Sequence, residues 1–230
     1  VLFRCDAGAT IGGGHVMRCL TLANAMATDG WAISFAVSEE TLTITPAARF
    51  GDFDLKVLAD KDDLPDGADP YDLAVVDHYG LGADYEAQLR QIAARVAVID
   101  HFPTRPHNCD LLIDQNFGSC ATDYAGVVPR HALVLAGTTY ALLRPEFADM
   151  RAAHAKLNDT PSRILISLGL TDVGGVTGDV TKRLLAMNTG AHSVVGIGLA
   201  ALSRNLPPGR ARELGGSVPV AAADMRRCGA

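Results

Sequence analysis

A histidine at the end of a glycine-rich turn is the most chemically suggestive feature of the sequence. Gly12-Gly13-Gly14 runs directly into His15, and Arg18 comes one helical turn later. Glycine opens backbone conformations closed to other residues and lets N–H groups come close to a ligand. A helix start in addition favours anions. The same field disfavours an imidazolium, so His15 is expected to be neutral and able to take up a proton. Two readings stand at this point: a general base or hydroxyl-binding group beside a phosphate-bearing substrate, or a capping histidine bonded to the loop. The dinucleotide fingerprint G-x-G-x-x-G is not met, because Met17 stands where its third glycine belongs.

Further polar clusters come directly after short apolar runs: Asp77-His78-Tyr79, Asp100-His101 and Asp114-Gln115-Asn116. Asp77 and Asp100 are either an acid/base pair of carboxylates or caps of loops and helix starts, the commoner role. Tyr79 either reaches a substrate through its hydroxyl or packs. Arg144 could bind an anion, but an ion pair with Glu146 or Asp149 is the expected role. Ser167-Leu168-Gly169-Leu170-Thr171-Asp172 is a polar turn between an apolar run and a helical pattern. Its N–H groups suit a diphosphate, the alternative being an ordinary strand-to-helix turn. His101, His107 and Cys109 match no zinc spacing, so no metal is assigned. G-x-S-x-G, Walker A and H-E-x-x-H motifs are absent from the sequence.

The elements that must position these residues read as strands alternating with helices. Strands are expected at 1–7, 31–37, 53–58, 72–77, 95–100, 111–114 and 133–137. A helix comes after the glycine turn, with Met17, Leu20, Ala23 and Ala27 on one face and Gly30 as its C-cap. Further helices are expected over 38–50, 83–94 and 147–157. After a polar break at Asn158–Ser162 the pattern restarts: strand 163–169, helix 176–187, strand 193–197, a helix near 208–214 and a short strand at 217–220. Such alternation implies a parallel sheet covered on both faces. Ligands of these sheets sit outside the carboxyl ends of the strands, so the polar clusters should gather along one rim. The domains are expected at 1–157 and 162–230. Val1 begins directly in a strand and the second unit offers only about three strands, as expected of a chain that has lost its start and part of its C-terminal end.

Composition narrows the class. The 230 residues are 48% hydrophobic and 20% charged, as in globular proteins with a substantial core. A net charge of −6 leaves no basic surplus for nucleic acid. No apolar run approaches the roughly 18 residues of a membrane span, and no secretory pattern opens the sequence. Five scattered cysteines without a C-x-x-C pair suit reduced thiols in a cytoplasm, as small buried apolar side chains.

Several of these stretches, taken together, resemble one family. They are Arg4-Cys5-Asp6-Ala7, Ile11 to Leu20, Asp77-His78-Tyr79, Ile99-Asp100, Cys109 to Asn116 and Tyr140 to Phe147. The family is that of the UDP-2,4-diacetamido-2,4,6-trideoxy-β-L-altropyranose hydrolases of pseudaminic acid biosynthesis, with the related spore-coat polysaccharide proteins. The likeness runs in order through about 190 residues, a combination far more specific than any one motif. It implies an α/β architecture of glycosyltransferase-B type, two Rossmann-like domains facing a cleft, the second incomplete here. It also implies inverting, metal-independent hydrolysis of the anomeric C–O bond of a UDP-sugar, without cofactor. The family's catalytic histidine matches His15. Asp6, Gly12, Gly13, Gly14, Arg18, Asp77, His78, Tyr79, Asn116 and Tyr140 would then serve the sugar. Ser167, Gly169, Thr171 and Asp172 would serve the nucleotide. Leu170 departs from the family, which has a glycine there, and the later glycine-rich loop and ribose-contacting acid are missing. A glycosyltransferase of the same architecture and a noncatalytic sugar-nucleotide binding protein remain as alternatives.

Overall fold

A computed structural model describes residues 1–67, 69–153, 163–169, 171–187, 192–197 and 211–215. Seven strands form one sheet: β1 (Leu2–Cys5), β2 (Ser34–Ser38), β3 (Asp54–Leu58), β4 (Tyr71–Asp77), β5 (Ala93–Ile99), β6 (Leu111–Asp114) and β7 (Leu133–Ala136). Their order is β3-β2-β1-β4-β5-β6-β7, and each pairing is parallel. Helices and this parallel sheet together make an α/β, Rossmann-like fold. By its internal contacts the chain divides into two units, one of Val1–Ala7 with His15–Leu143, the other of Gly8–Gly14 with Arg144–Ala230.

Strand parity decides which face each residue serves. Phe3, Cys5, Phe35, Val37, Val75, Ala97, Ile99 and Ile113 join one core cluster with helix α1 (Gly14–Thr28). Leu2, Ala36, Ala74, Val76, Val96, Val98 and Leu112 join the other, with helix α3 (Ala83–Leu89). Successive side chains of a strand point to opposite faces, and here both faces are buried. That is why these strands read as unbroken apolar runs rather than alternating ones. A fully buried side chain such as Phe3 or Leu112 contributes about 2 kcal/mol.

The stripe of α1 that meets the sheet is His15, Val16, Cys19, Leu20 and Ala23. It shares Leu20 and Ala23 with the expected face, Met17 and Ala27 pack partly buried at its margin, and it widens to take His15 inward. Gly30 (φ +89°) ends the helix as expected, its N–H and that of Trp31 bonding to Ala27 and Met26 carbonyls.

Other expectations are corrected. The helix placed over 38–50 is instead α2 (Glu39–Ile44), succeeded by a 3-10 turn at Ala47–Phe50. Pro46 between them cannot donate the N–H that a continuous helix needs. Helix α3 stops at Leu89 rather than running to 94, because Ala93 pairs with Tyr71 and starts β5. Helix α4 spans Pro145–Ala153, and its expected continuation to 157 lies outside the described residues. In the second unit, β8 (Arg163–Ile166), β9 (His192–Ile197) and β10 (Ala211–Gly215) form a parallel sheet, with α5 (Thr177–Ala186) after β8. The helix expected near 208–214 is therefore replaced by strand pairing over 211–215. The expected strand at 217–220 lies outside the described residues. Among the described residues, no helix is long and apolar enough to cross a membrane.

Candidate active site

Three polar groups converge where β4 ends against the start of α1. Asp77 shares parity with Val75, so its carboxylate projects onto the α1 face, where it is fully buried. His15 Nδ1 lies 2.6 Å from Asp77 Oδ1. Arg18 grips the same carboxylate in a fork, through Nε to Oδ2 and through Nη2 to Oδ1, the latter at 2.5 Å. Burial alone would lower the Arg18 pKa, but the hydrogen bond and charge of Asp77 raise it. An ionised carboxylate only accepts, so Nδ1 carries the proton it donates to Asp77. That leaves Nε2 as the lone-pair nitrogen, and it makes no hydrogen bond to a described residue. Arg18 Nη2, 3.1 Å from Nδ1, cannot find an acceptor there and donates to Asp77. The Cys19 sulfur stands 3.7 Å from Asp77 Oδ2, its thiol kept protonated chiefly by burial.

His15, in the first turn of α1 as expected, is only 4% exposed. Its immediate surroundings are nevertheless polar. Tyr79 stands edge-on to the imidazole with ring centroids 4.4 Å apart, and is 43% exposed itself. From Tyr79 the aromatic contacts continue to His101 (5.4 Å) and Phe102 (5.5 Å).

The other sheet face uses the same residue types differently. Asp6 pairs with Arg4 at 2.9 Å and with His78 Nε2 at 3.2 Å, and accepts the Ser38 N–H at 2.6 Å. Burial pushes its pKa up, but the His78 hydrogen bond and the Arg4 charge prevail and hold it well below the usual carboxylate range. His78 Nδ1 accepts the Gly80 N–H at 2.9 Å, so both its nitrogens are engaged. Asp100 lies against His107 and Arg105 rather than beside Asp77. The pair of carboxylates considered from sequence is therefore split between faces.

The glycine turn closes on itself. Gly8 and Gly12 exchange backbone hydrogen bonds of 3.1 and 2.8 Å, and of the three consecutive glycines only Gly12 takes a positive φ, +75°. The Gly12 N–H is thus unavailable to a ligand, whereas Gly13 and Gly14 lead into α1. Asn116 is exposed, its N–H on Asp114; Tyr140 is 40% exposed at the end of a 3-10 turn. Gln115 Oε1 accepts the Leu142 N–H at 2.8 Å.

Within the second unit, Ser167 and Gly169 are exposed. Thr171 Oγ1 is buried without a hydrogen bond to a described residue, and a Cβ on Gly12 would lie 3.6 Å from it. Asp172 has φ +45° and accepts the Thr177 N–H with its carboxylate, anchoring the start of α5. Leu170 lies outside the described residues. Arg144 sits 5.0 Å over the Phe147 ring, in place of the expected ion pair with Glu146 or Asp149.

No group of three or more metal-ligating side chains forms among the described residues. His107 has Glu86 Oε1 at 2.7 Å on one nitrogen and Asp100 Oδ2 at 2.9 Å on the other. Burial disfavours its charge, but the two carboxylates overcome this and raise its pKa to about 9. Burial pushes the Cys109 thiol up to about 12. Cys5, Cys19 and Cys109 are buried as expected; Cys120 is exposed, contrary to that reading, and Cys228 lies outside the described residues. Sequence reasoning missed Glu86. Its one available signal was its i, i+3 spacing to Leu89 on the buried stripe of α3.

The Rossmann-like sheet defines an α/β protein, with a histidine–carboxylate pair at the sheet's rim. Comparison with known proteins adds one relative: a UDP-2,4-diacetamido-2,4,6-trideoxy-beta-L-altropyranose hydrolase of Campylobacter jejuni is 28% identical over 194 residues, 80% of this chain. The chain spans 65% of that relative's length. No family model matches the sequence. The resemblance noted from the motifs is thus a resemblance along most of the chain.

Proposed function

We propose that this chain carries the catalytic and sugar-binding part of a UDP-sugar hydrolase. The observation that carries the reading is His15, with Nδ1 held by Asp77 and Nε2 uncommitted among the described residues. A carboxylate on one imidazole nitrogen fixes the tautomer and orientation that let the other act as a base. In the proposed reaction Nε2 takes a proton from a water as the water oxygen bonds to the anomeric carbon. The bond from that carbon to the UDP oxygen breaks, and UDP departs with the electron pair. Attack opposite the leaving group inverts the anomeric centre. UDP leaves readily, so the second carboxylate of ordinary glycosidases is not required, and neither a metal nor a cofactor takes part.

The relative's name supports a substrate of the 2,4-diacetamido-2,4,6-trideoxy class; a cytoplasmic role in pseudaminic acid biosynthesis belongs to the same proposal. Tyr79, Asn116 and Tyr140, the members of the expected set with exposed side chains, would meet the sugar, while Arg18, Asp6 and His78 would hold the loops that frame it. Gly12, Gly13 and Gly14 would set the entry to α1. Ser167, Gly169, Thr171 and Asp172, in a C-terminal domain proposed at 162–230, would serve the nucleotide. The N-terminal domain is proposed at 1–157.

The test is release of UDP and free reducing sugar from the UDP-linked 2,4-diacetamido-2,4,6-trideoxy sugar with no acceptor present. His15→Asn should remove most turnover while calorimetry still detects substrate. Binding without turnover by the unaltered chain would reject the hydrolase, and turnover that requires an added acceptor would replace it with a transferase.

A further inference from the structure

The turn that carries Tyr79 is held from below by one guanidinium. Arg105 Nη1 donates to the carbonyls of Tyr79 (2.5 Å), Leu81 (3.1 Å) and His78 (3.4 Å). Its Nε and Nη2 sit on Asp100 Oδ2 at 3.0 and 2.9 Å. Asp100 is fixed in turn, since its other oxygen accepts the His101 and Phe102 N–H groups, and His107 bridges it to Glu86 on α3. The Glu86 second oxygen takes the Asn108 N–H at 2.5 Å. Two carboxylates and two cations alternate along this row, buried at Glu86, His107 and Asp100 and partly buried at Arg105, so its charges balance. That satisfies the condition for keeping ions out of water.

We propose that Arg105 is a positioning residue that acts through Tyr79: by gathering three carbonyls of the 78–81 turn onto Asp100, it sets the Tyr79 ring against His15. The guanidinium is suited to this because its rigid fork of five donors can serve a carboxylate and several carbonyls at once, which a lysine ammonium cannot. The turn's own bonds, Gly80 N–H to His78 Nδ1 and Leu81 N–H to the His78 carbonyl, are local; His78 Nε2 ties its first residue to Asp6 at 3.2 Å, and Arg105 ties the carbonyls of Tyr79 and Leu81. The kinetic consequence rests on the hydrolase reading above; the placement of the ring does not.

The test has one arm for each. In the full chain with labelled histidines, the His15 ring signals, assigned by their loss in His15→Asn, report the aromatic ring 4.4 Å away. Tyr79→Ala should displace them, Arg105→Ala should displace them the same way, and Arg105→Lys part of the way. Arg90→Ala removes a comparable ion pair, to Asp110 at 3.0 Å, and should leave them in place. In the kinetic arm, with the UDP-linked 2,4-diacetamido-2,4,6-trideoxy sugar, Arg105→Ala should lower kcat by up to about 100-fold, the scale of a misplaced active-site group. In a Tyr79→Ala background it should cost less than about twofold, since residues acting through one another are not additive. Unmoved His15 signals in Arg105→Ala, or an equal kcat loss in both backgrounds, overturns the proposal. If Arg105→Ala does not fold, Arg105→Lys is read by the same criteria, and wild-type signals and kcat there overturn it too. A chain without hydrolase activity defeats the function reading alone, and the His15 signals still decide the placement of Tyr79.

Discussion

The two faces of the large sheet bring the same residue types to one rim and put them to different use. On the α1 face, His15 meets a single carboxylate, Asp77, and keeps one nitrogen uncommitted among the described residues. On the α3 face, His107 lies between two carboxylates and His78 between Asp6 and a backbone N–H. Residue type alone would rank these histidines alike. What separates them is the number of ring nitrogens already engaged, because a proton can be accepted only at a lone pair that nothing else holds. The first face has the makings of chemistry, and the second has the makings of a frame.

The contrast is broken most directly at the two histidines. His15→Asn is expected to lower kcat by about 10²- to 10⁴-fold, the usual share of a general base, with a melting temperature near that of the unaltered chain. Steady-state kinetics beside thermal unfolding checks both halves. An intact kcat would move His15 into the frame. Asp77→Asn should come next with a loss of similar order, since the amide no longer enforces the tautomer. It should also destabilise, because Arg18 loses its buried partner.

His107→Gln should show the opposite balance. It leaves Glu86 and Asp100 buried without the cation between them, a change that costs about 3–5 kcal/mol, measurable by urea unfolding. The pH dependence sharpens this. The folded pKa of His107 is raised to about 9 from an ordinary 6.5, so its contribution is complete below pH 6.5 and fades as pH climbs through 9. Asp100 is the mirror case. Burial would raise its pKa, but His107 and Arg105 hold it at about 2, so its share is complete above pH 3.8 and fades as pH falls through 2. Unfolding free energy measured from pH 6 to 10 should therefore decline in the unaltered chain and lose that slope in His107→Gln.

The smallest effect is expected at Cys19. Its thiol touches Asp77 but is kept protonated by burial, so Cys19→Ala should cost about 1 kcal/mol of stability and leave kcat within about twofold. Alkylation of the folded chain should accordingly reach Cys120 and spare Cys19. Ready alkylation of Cys19 would instead place a nucleophilic thiolate on the α1 face.

Much of the framework is legible in the sequence. Strands buried on both faces must be apolar at every position, so β1, β2, β4, β5 and β6 announce themselves as continuous runs. In a parallel sheet the residues just past the end of each run must lie at one edge. That brings His15, Asp77, Asp100 and Asp114 to a common rim before any coordinate is known. The extent of helices near strand pairing is less legible. Helix α3 yields to β5 at Ala93, and the expected helix near 208–214 yields to β10, because ladder partners lie far away in the chain.

The residue types of the site and their gathering at a sheet edge were thus determined by the sequence itself, through local periodicity. Which partner each one meets was decided only by tertiary structure. His15 and Asp77 are 62 positions apart, and His107 and Glu86 are 21 apart. Their pairing depends on strand parity, on the widening of the buried α1 stripe that takes in His15, and on the register that sets Cys5 beside Asp77. Those are properties of packed faces, and a linear pattern contains them only once the faces have met.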